Sequence, residues 1–246
     1  MTPGKDLPRV SVVVPVRNEA PNVRPLVQEI ERACAALAPF ELIYVDDGST
    51  DDTPGELMMA RAGRPWLRAL RHTDSCGQSA AIRTGASAAR APIIVTLDGD
   101  GQNDPAFVPT LVEALESGGP KVGLAAGQRV GRRATGFKRL QSRVANGVRA
   151  AVLKDGTRDT GCGLKAIRRE VYAALPYFDA LHRFMPALVV REGFGVVHVD
   201  VVDRPRSAGR SNYGFFDRLW VGIGDLAGVW WLIRRRRRGP RVEEVA

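Results

Sequence analysis

Two apolar runs, VSVVVPV at residues 10–16 and FELIYVD at residues 40–46, are short, rich in β-branched side chains and followed by polar clusters. Runs of this kind read as buried strands. Between them Val23, Leu26, Val27, Ile30, Cys34 and Leu37 recur at helical spacing, which predicts an amphipathic helix from about Asn22. Asp51 or Asp52 is placed to cap a second helix. Residues 67–71 then read as a short strand, 77–90 as an alanine-rich helix, and APIIVTLD at 91–98 as a strongly apolar strand. Phe107, Val108, Leu111, Val112 and Leu115 mark another helix, and 121–127 another strand. Such alternation predicts an α/β fold, a mainly parallel central sheet with helices on both faces.

Beyond residue 127 the pattern is less regular. The sequence predicts a helix over about 137–153, a strand-like stretch DTGCGLKAI, a helix over 181–193, a strand VVHVDVVD at 196–203 and a loop RPRSAGRSNYG. No internal repeat is visible. Residues 214–238, GFFDRLWVGIGDLAGVWWLIRRRRR, form a distinct C-terminal helical segment. Its apolar part, 219–233, contains Asp225 and is shorter than the roughly 20 apolar residues that a membrane span needs. Three tryptophans followed by five arginines suit a helix lying in the lipid headgroup layer, with packing on protein as the alternative. The expected layout is a tail at 1–9, one folded domain over 10–213, the helical segment 214–238, and a second tail at 239–246.

Charge narrows the partners. The 246 residues carry a net charge of +9, with a pI near 10.1, which points to an anion: nucleic acid, phosphorylated substrate or membrane surface. A nucleic-acid face would interleave basic and aromatic residues. Here the basic residues gather after residue 127 and at the C-terminus, while the predicted strand ends are acidic, so no nucleic-acid partner is expected. Three widely spaced cysteines, Cys34, Cys76 and Cys162, give neither a disulfide framework nor a zinc pattern. The N-terminus lacks an apolar signal core, so the protein is not expected to be secreted. No G-x-G-x-x-G follows the first strand, against a dinucleotide-dependent oxidoreductase.

In open sheets of this class ligands bind beyond the carboxyl ends of the strands. Three polar clusters fall there: Arg17-Asn18-Glu19, Asp46-Asp47-Gly48-Ser49 and Asp98-Gly99-Asp100. Alone, the second reads as a turn and helix cap. In sequence with the others, its carboxylates can accept hydrogen bonds from ribose hydroxyls or a base N–H. Asp98 and Asp100 should repel one another unless a cation lies between them. Oxygen ligands of this type suit Mg2+ or Mn2+, shared with a substrate diphosphate. Asp104-Pro105 reads as a helix cap with proline in the first turn.

The stretches PVRNE, VDDGSTDDT, GQSAAIRTG and LDGDGQNDP, in this order and spacing, closely resemble the inverting GT-A-fold (family 2) glycosyltransferases. The later stretches DTGCGLKAIRR, LHRFMPAL and RPRSAGRSNYG are similar to the branch of polyprenyl-phosphate sugar synthases related to dolichyl-phosphate mannosyltransferase. The resemblance runs from about Val10 to Tyr213. It implies a GT-A fold and transfer of a sugar from a nucleoside diphosphate, of GDP-mannose or UDP-hexose type, to a polyprenyl phosphate. The donor pocket would be lined by Pro15, Arg17, Glu19, Asp46, Asp47, Gly77, Gln78, Asp98, Gly99, Asp100, Arg206, Arg210, Ser211 and Asn212. Asp98, Asp100 and Gln102 would hold the metal, Mg2+ or Mn2+. Arg17 stands where the family usually has tyrosine, Asn212 where it commonly has lysine, and Lys165 where it often has arginine.

A phosphate monoester acceptor needs little help from a general base, because its second pKa is about 6 and it already carries a nucleophilic oxygen. The site must instead gather two anions and neutralise them. Arg129, Arg143 and Lys165 are the candidates for the acceptor phosphate, and Asp98, Asp100, Arg129 and Lys165 for the catalytic set. His72, His182 and His198 read as structural. The expected setting is peripheral, on the cytoplasmic face of an anionic membrane. Two alternatives stay open: transfer to a glycan hydroxyl, for which no carboxylate base can be placed, and a catalytically silent nucleotide-sugar sensor. Oligomeric state is not legible.

Overall fold

The structure is a computed structural model that describes residues 7–130, 147, 149, 152–153, 155–204 and 215–235. The first half forms β1 (Val10–Val16), α1 (Ala20–Cys34), β2 (Phe40–Asp46), α2 (Thr53–Arg61), β3 (Leu67–Arg71), α3 (Gln78–Ala88), β4 (Ile93–Thr96), α4 (Val108–Ser117) and β5 (Val122–Arg129). The second half adds β6 (Lys165–Arg168), α5 (Arg169–Ala174), α6 (Leu181–Arg191), β7 (Gly195–Val201) and α7 (Phe215–Arg234).

Among the described residues seven strands form one sheet in the order β3-β2-β1-β4-β6-β5-β7. All neighbours run parallel except β6, which is antiparallel to both β4 and β5. β1 is central and buried along its whole length, as its unbroken apolar run requires. Val10, Val12, Val14 and Val16 face a core shared with α1, α2 and α4. Val13, with Ile43 and Val45 of β2, faces a second core completed by α3, α5 and α6. Helices therefore cover both faces. Each fully buried side chain of this size contributes roughly 1.5–3 kcal/mol.

Several boundaries differ from the sequence expectation. α1 begins at Ala20, two residues early, because the preceding turn is tied to the β2–α2 loop. The apolar run 91–98 yields a strand only over Ile93–Thr96. Leu97 still donates its N–H to Val13 O (3.1 Å), but the Asp98 N–H turns away to Asn103 Oδ1 (3.1 Å). The stretch 159–167 contributes a strand only from Lys165, and the short helix α5 follows it unannounced by any periodicity. Of the expected helix over 137–153, residues 147, 149, 152 and 153 are described and helical, and the others lie outside the described residues.

The orientation of β6 matters most for the site. In register, Lys165 lies opposite Thr96 of β4 and Ala126 of β5. An antiparallel strand inserted there starts where its neighbours end. It therefore delivers Gly163, Leu164 and Lys165 to the carboxyl end of the sheet.

Candidate active site

Three loops leave the carboxyl ends of β1, β2 and β4, and the first two are locked together by their own polar side chains. The Asn18 N–H donates to Ser49 Oγ (2.9 Å), and Thr50 N–H donates back to Asn18 Oδ1 (2.8 Å). The Glu19 N–H reaches Thr53 Oγ1 (2.9 Å), and Asn22 Nδ2 donates to Glu19 Oε2 (2.6 Å). Pro15 is buried, while Arg17 stands exposed at the rim. Asp52 holds the N-cap position of α2 without a side-chain bond, and Asp51 supplies the acceptor: its Oδ1 accepts from the Thr53 N–H (3.0 Å) and hydroxyl (2.6 Å). Asp104 caps as expected, accepting the Ala106 N–H (2.9 Å), and is also ion-paired with Arg204 (2.5 Å).

The two aspartates of the β2 end do different things. Asp46 accepts the Ser49 N–H on Oδ1 (2.9 Å), and its Oδ2 lies 3.2 Å from Arg71 Nε, outside hydrogen-bonding geometry. Asp47 is saturated. It accepts from Cys76 N (2.8 Å), Gly77 N (2.9 Å) and Ser75 Oγ (2.8 Å) and lies 2.7 Å from His72 Nδ1. Burial alone would raise its pKa, yet these partners hold it below the ordinary aspartate value. Asp47 thus shapes the loop into α3. That loop ends at Gly77, where φ is +88°, a backbone conformation that favours glycine.

Gln78, the first residue of α3, donates its Nε2 to Asp98 Oδ1 (2.8 Å). Among the described residues Asp98 Oδ2 accepts no hydrogen bond. Burial and the neighbouring Asp100 charge push the Asp98 carboxyl up to about 6, against the opposing pull of Lys165, Arg129 and Gln78. Asp100 Oδ1 accepts the Gln102 N–H (3.0 Å), and Gln102 O accepts the Arg204 N–H (2.8 Å). Two close carboxylates, one raised above its ordinary range, form a set of hard oxygen donors. Such a set fits Mg2+ or Mn2+.

Close approach is built in below this pair. A Cβ on Gly163 would run into the Asp98 carboxylate and Asn103 Oδ1, and one on Gly99 would sit 2.8 Å from Pro15 O. Thr96 Oγ1 donates to Gly163 O (2.7 Å), pinning the start of β6 against β4. Lys165 is only 2% exposed, and its Nζ donates to Cys162 O. Burial pushes its pKa down, while the charge of Asp98 raises it.

Arg129 is engaged by carboxylates. Its guanidinium forks onto Asp159 (2.5 and 2.8 Å) and reaches Asp203 Oδ2 (3.2 Å). Burial opposes its charge, but these two partners raise its pKa above the ordinary arginine value. Asp203 Oδ1 in turn accepts from Asn103 Nδ2 (3.3 Å), and Asn103 Oδ1 holds the Asp98 N–H. A continuous chain, Arg129–Asp203–Asn103–Asp98, therefore ties the end of β5 to the acidic pair. Asn103 is 1% exposed. Neither Asn103 nor Asp203 stood out in the sequence, since their pairing spans 100 residues.

His182, at the start of α6, lies 2.8 Å from Ser79 Oγ through Nδ1. Burial and nearby Lys165 push its pKa down to about 3, so the imidazole is neutral. Arg143, Arg206, Arg210, Ser211 and Asn212 lie outside the described residues. The structure thus brings Pro15, Arg17, Glu19, Asp46, Asp47, Gly77, Gln78, Asp98, Gly99, Asp100, Gln102, Arg129 and Lys165 to one end of the sheet.

Away from this site, α7 packs Val229, Leu226, Leu232 and Ile233 against the second core. Ile223 (52% exposed) and Trp231 (53%) remain at the surface. Arg234 Cζ sits 4.1 Å from the Trp230 ring centroid, and Arg235 Cζ 5.5 Å from that of Trp231. Among the described residues no helix is long and apolar enough to cross a membrane.

Comparison with known proteins agrees with this arrangement. Residues 11–175 match the model of the family described as Glycosyl transferase family 2. The chain is 36% identical to a dodecaprenyl-phosphate galacturonate synthase of Rhizobium johnstonii, over 93% of this chain and 68% of that protein. It is 33% identical to an undecaprenyl-phosphate 4-deoxy-4-formamido-L-arabinose transferase of Pectobacterium carotovorum, over 85% of this chain and 64% of that protein. The chain thus spans about two thirds of the length of these relatives. Among solved structures it is similar to a mannosyltransferase of Pyrobaculum calidifontis in complex with GDP-Man and Mn2+. The TM-score is 0.69 at 23% identity, covering 95% of this chain and 66% of the other. A glucosyl-3-phosphoglycerate synthase of Mycobacterium tuberculosis, with Mn2+ and UDP, gives 0.68 at 21% identity, covering 92% and 80%. At these identities the structural likeness shows the fold alone.

Proposed function

The chain belongs to glycosyl transferase family 2, a family of sugar-transferring enzymes with the GT-A fold, and from that premise we propose that it moves a sugar from a nucleoside diphosphate to a polyprenyl phosphate. The named activities of its relatives support the acceptor class. The observation that carries the reading is the Asp98–Asp100 pair, with one carboxyl pushed up to about 6, beside the buried Lys165. Such a pair has a use for a divalent cation and an anionic substrate.

Asp98 and Asp100 would hold Mg2+ or Mn2+, which when bound supplies positive charge to the leaving diphosphate. Gln78 orients Asp98 through its 2.8 Å hydrogen bond. Asp46, with one oxygen beside Arg71 and no hydrogen bond on it among the described residues, accepts from the ribose or base. Pro15, Arg17 and Glu19 border the same pocket, and the exposed Arg17 guanidinium supplies a plane on which a base can stack. Gly77 lets the backbone approach at the N-terminus of α3. Lys165 gives a buried positive charge near the reacting phosphate. Arg129, held by Asp159 and Asp203, acts by positioning the Asn103 bridge and contributing long-range positive field. Arg143, Arg206, Arg210, Ser211 and Asn212 complete the anion contacts in this reading. The acceptor oxygen attacks as its own nucleophile, so no base is required of the chain.

The polyprenyl acceptor places the reaction at a membrane. The exposed Trp230 and Trp231, each under an arginine, suit the cytoplasmic headgroup layer of an anionic bilayer. The test is sugar transfer to undecaprenyl phosphate with a panel of labelled nucleotide sugars. A lipid-linked product with one donor, abolished by EDTA, supports the reading. No lipid product with any donor, despite nucleotide-sugar binding, would overturn it in favour of a hydroxyl acceptor or a sensor.

A further inference from the structure

A cavity of about 270 Å³ lies where α3 meets α5 and the segment leading into α6. Arg83, Ser87, Arg169, Tyr172, Tyr177 and Leu181 shape it, and none of the described residues lining it is acidic. A shallower groove of about 470 Å³ continues past Arg169 and does carry one carboxylate, Glu170. The Arg83 guanidinium stacks 4.2 Å from the Tyr177 ring centroid, which fixes it at the rim. Arg169 commits one N–H to Ala89 O (3.3 Å). Between them lies Tyr172, only 8% exposed, whose hydroxyl has no hydrogen-bond partner among the described residues.

A buried hydroxyl without a partner costs free energy, and native structures rarely leave one without a reason. Here it lies close enough to Arg83 to feel the guanidinium charge. An acceptor oxygen drawn in by Arg83 would be placed to satisfy it, with a small shift of the rim side chains. Two guanidinium forks and two phenols match an anion with several oxygens. Ala86, Ala173 and Leu175 offer an apolar wall to a compact body. The volume falls just below the 300–1,000 Å³ typical of drug-sized ligands.

We propose that this cavity is a binding site for a small, soluble phosphate monoester, separate from the donor pocket. The site has a mechanical route to that pocket. α3 runs from Arg83 and Ser87 back to Gln78, which holds Asp98, while Leu181 precedes His182, which meets Ser79. A ligand bridging α3 and α5 would fix the helix that orients Asp98.

The test titrates phenyl phosphate into the full chain by calorimetry. The wild type is compared with Arg83→Ala/Arg169→Ala, Tyr172→Phe and Asp100→Ala. We expect millimolar or tighter binding, weakened about tenfold or more in the double variant and severalfold in Tyr172→Phe. Tyr172→Phe should melt no lower than wild type, since it removes a group without a partner, and Asp100→Ala should bind phenyl phosphate as wild type does. A parallel arm uses vesicles containing phosphatidic acid. Equal affinity in the double variant, loss of binding in Asp100→Ala, or arginine-dependent binding to vesicles alone would overturn the proposal, as would no binding at all.

Discussion

Glu41 and Asp98 are carboxylates enclosed by the same sheet at opposite ends, and their surroundings are opposite too. Glu41, near the amino ends of the strands, is 1% exposed and fully answered. It accepts from Ser11 Oγ (2.7 Å), Arg90 N (2.7 Å), Arg68 Nη1 (2.9 Å) and Arg90 Nε (3.0 Å). Burial would raise its pKa, but these donors hold it below the ordinary glutamate value. Asp98, at the carboxyl ends, has one side-chain donor and a second carboxylate for a neighbour, and its pKa is pushed up to about 6. The first carboxylate spends its charge on holding the strands together. The second is only partly compensated, by Lys165, Arg129 and the Gln78 hydrogen bond, as a site for a cation would be.

The comparison breaks most visibly through activity. Asp98→Asn and Asp100→Ala should each lower kcat/KM by at least about 10³-fold, or about 4 kcal/mol of transition-state stabilisation. Steady-state rates with a responsive donor measure this. Glu41→Gln should leave kcat of the folded enzyme within about twofold. It should destabilise the protein by about 2–4 kcal/mol, because it breaks an enclosed ion pair that two half-exposed arginines share. Urea unfolding of the purified variant measures that loss.

Next in size is the bridge between the sheet and the acidic pair. Asn103→Ala removes the acceptor for the Asp98 N–H and leaves Asp203 short of one donor. It should cost about 1–2 kcal/mol of stability and weaken metal affinity by about tenfold. Titration of Mn2+ followed by calorimetry checks the second figure.

The last effect is in pH. Asp98 has a raised folded pKa, so below about 4 it is neutral in both states. As pH rises from about 4 through 6 it ionises first in the unfolded chain, and the metal-free fold loses stability. Glu41 has a lowered folded pKa, so its stabilisation is present above the ordinary glutamate range and is lost as pH falls through its folded value. Metal affinity should also fall as pH drops below about 6, because the cation must displace the Asp98 proton.

Much of this contrast was legible locally. The β-branched runs at 10–16 and 40–46 announced strands, and Asp98-Gly99-Asp100 announced its own repulsion. Asp104-Pro105 announced a cap, and Asp104 makes one. What stayed hidden depends on long-range placement. Nothing in the stretch 159–167 tells that its strand inserts antiparallel between β4 and β5, yet that insertion puts Lys165 opposite Thr96. The Arg129–Asp203–Asn103 chain joins three segments distant in sequence, and Asn103 reads as an ordinary loop residue until Asp203 is brought to it. Asp46 and Asp47 look equivalent in sequence, and only the fold of the loop into α3 saturates one of them.

The measurement that tests the contrast most directly is thermal unfolding of wild type and Asp98→Asn at pH 7.5, with and without Mn2+ and a nucleoside diphosphate. Without ligand, the variant should melt several degrees above wild type, since removing a carboxyl pushed up to about 6 returns up to about 3 kcal/mol. With ligand, wild type should rise and the variant should not. A metal-free Asp98→Asn protein that melts below wild type, or one that gains as much from Mn2+ and nucleotide, would contradict the assignment of this carboxylate to a cation.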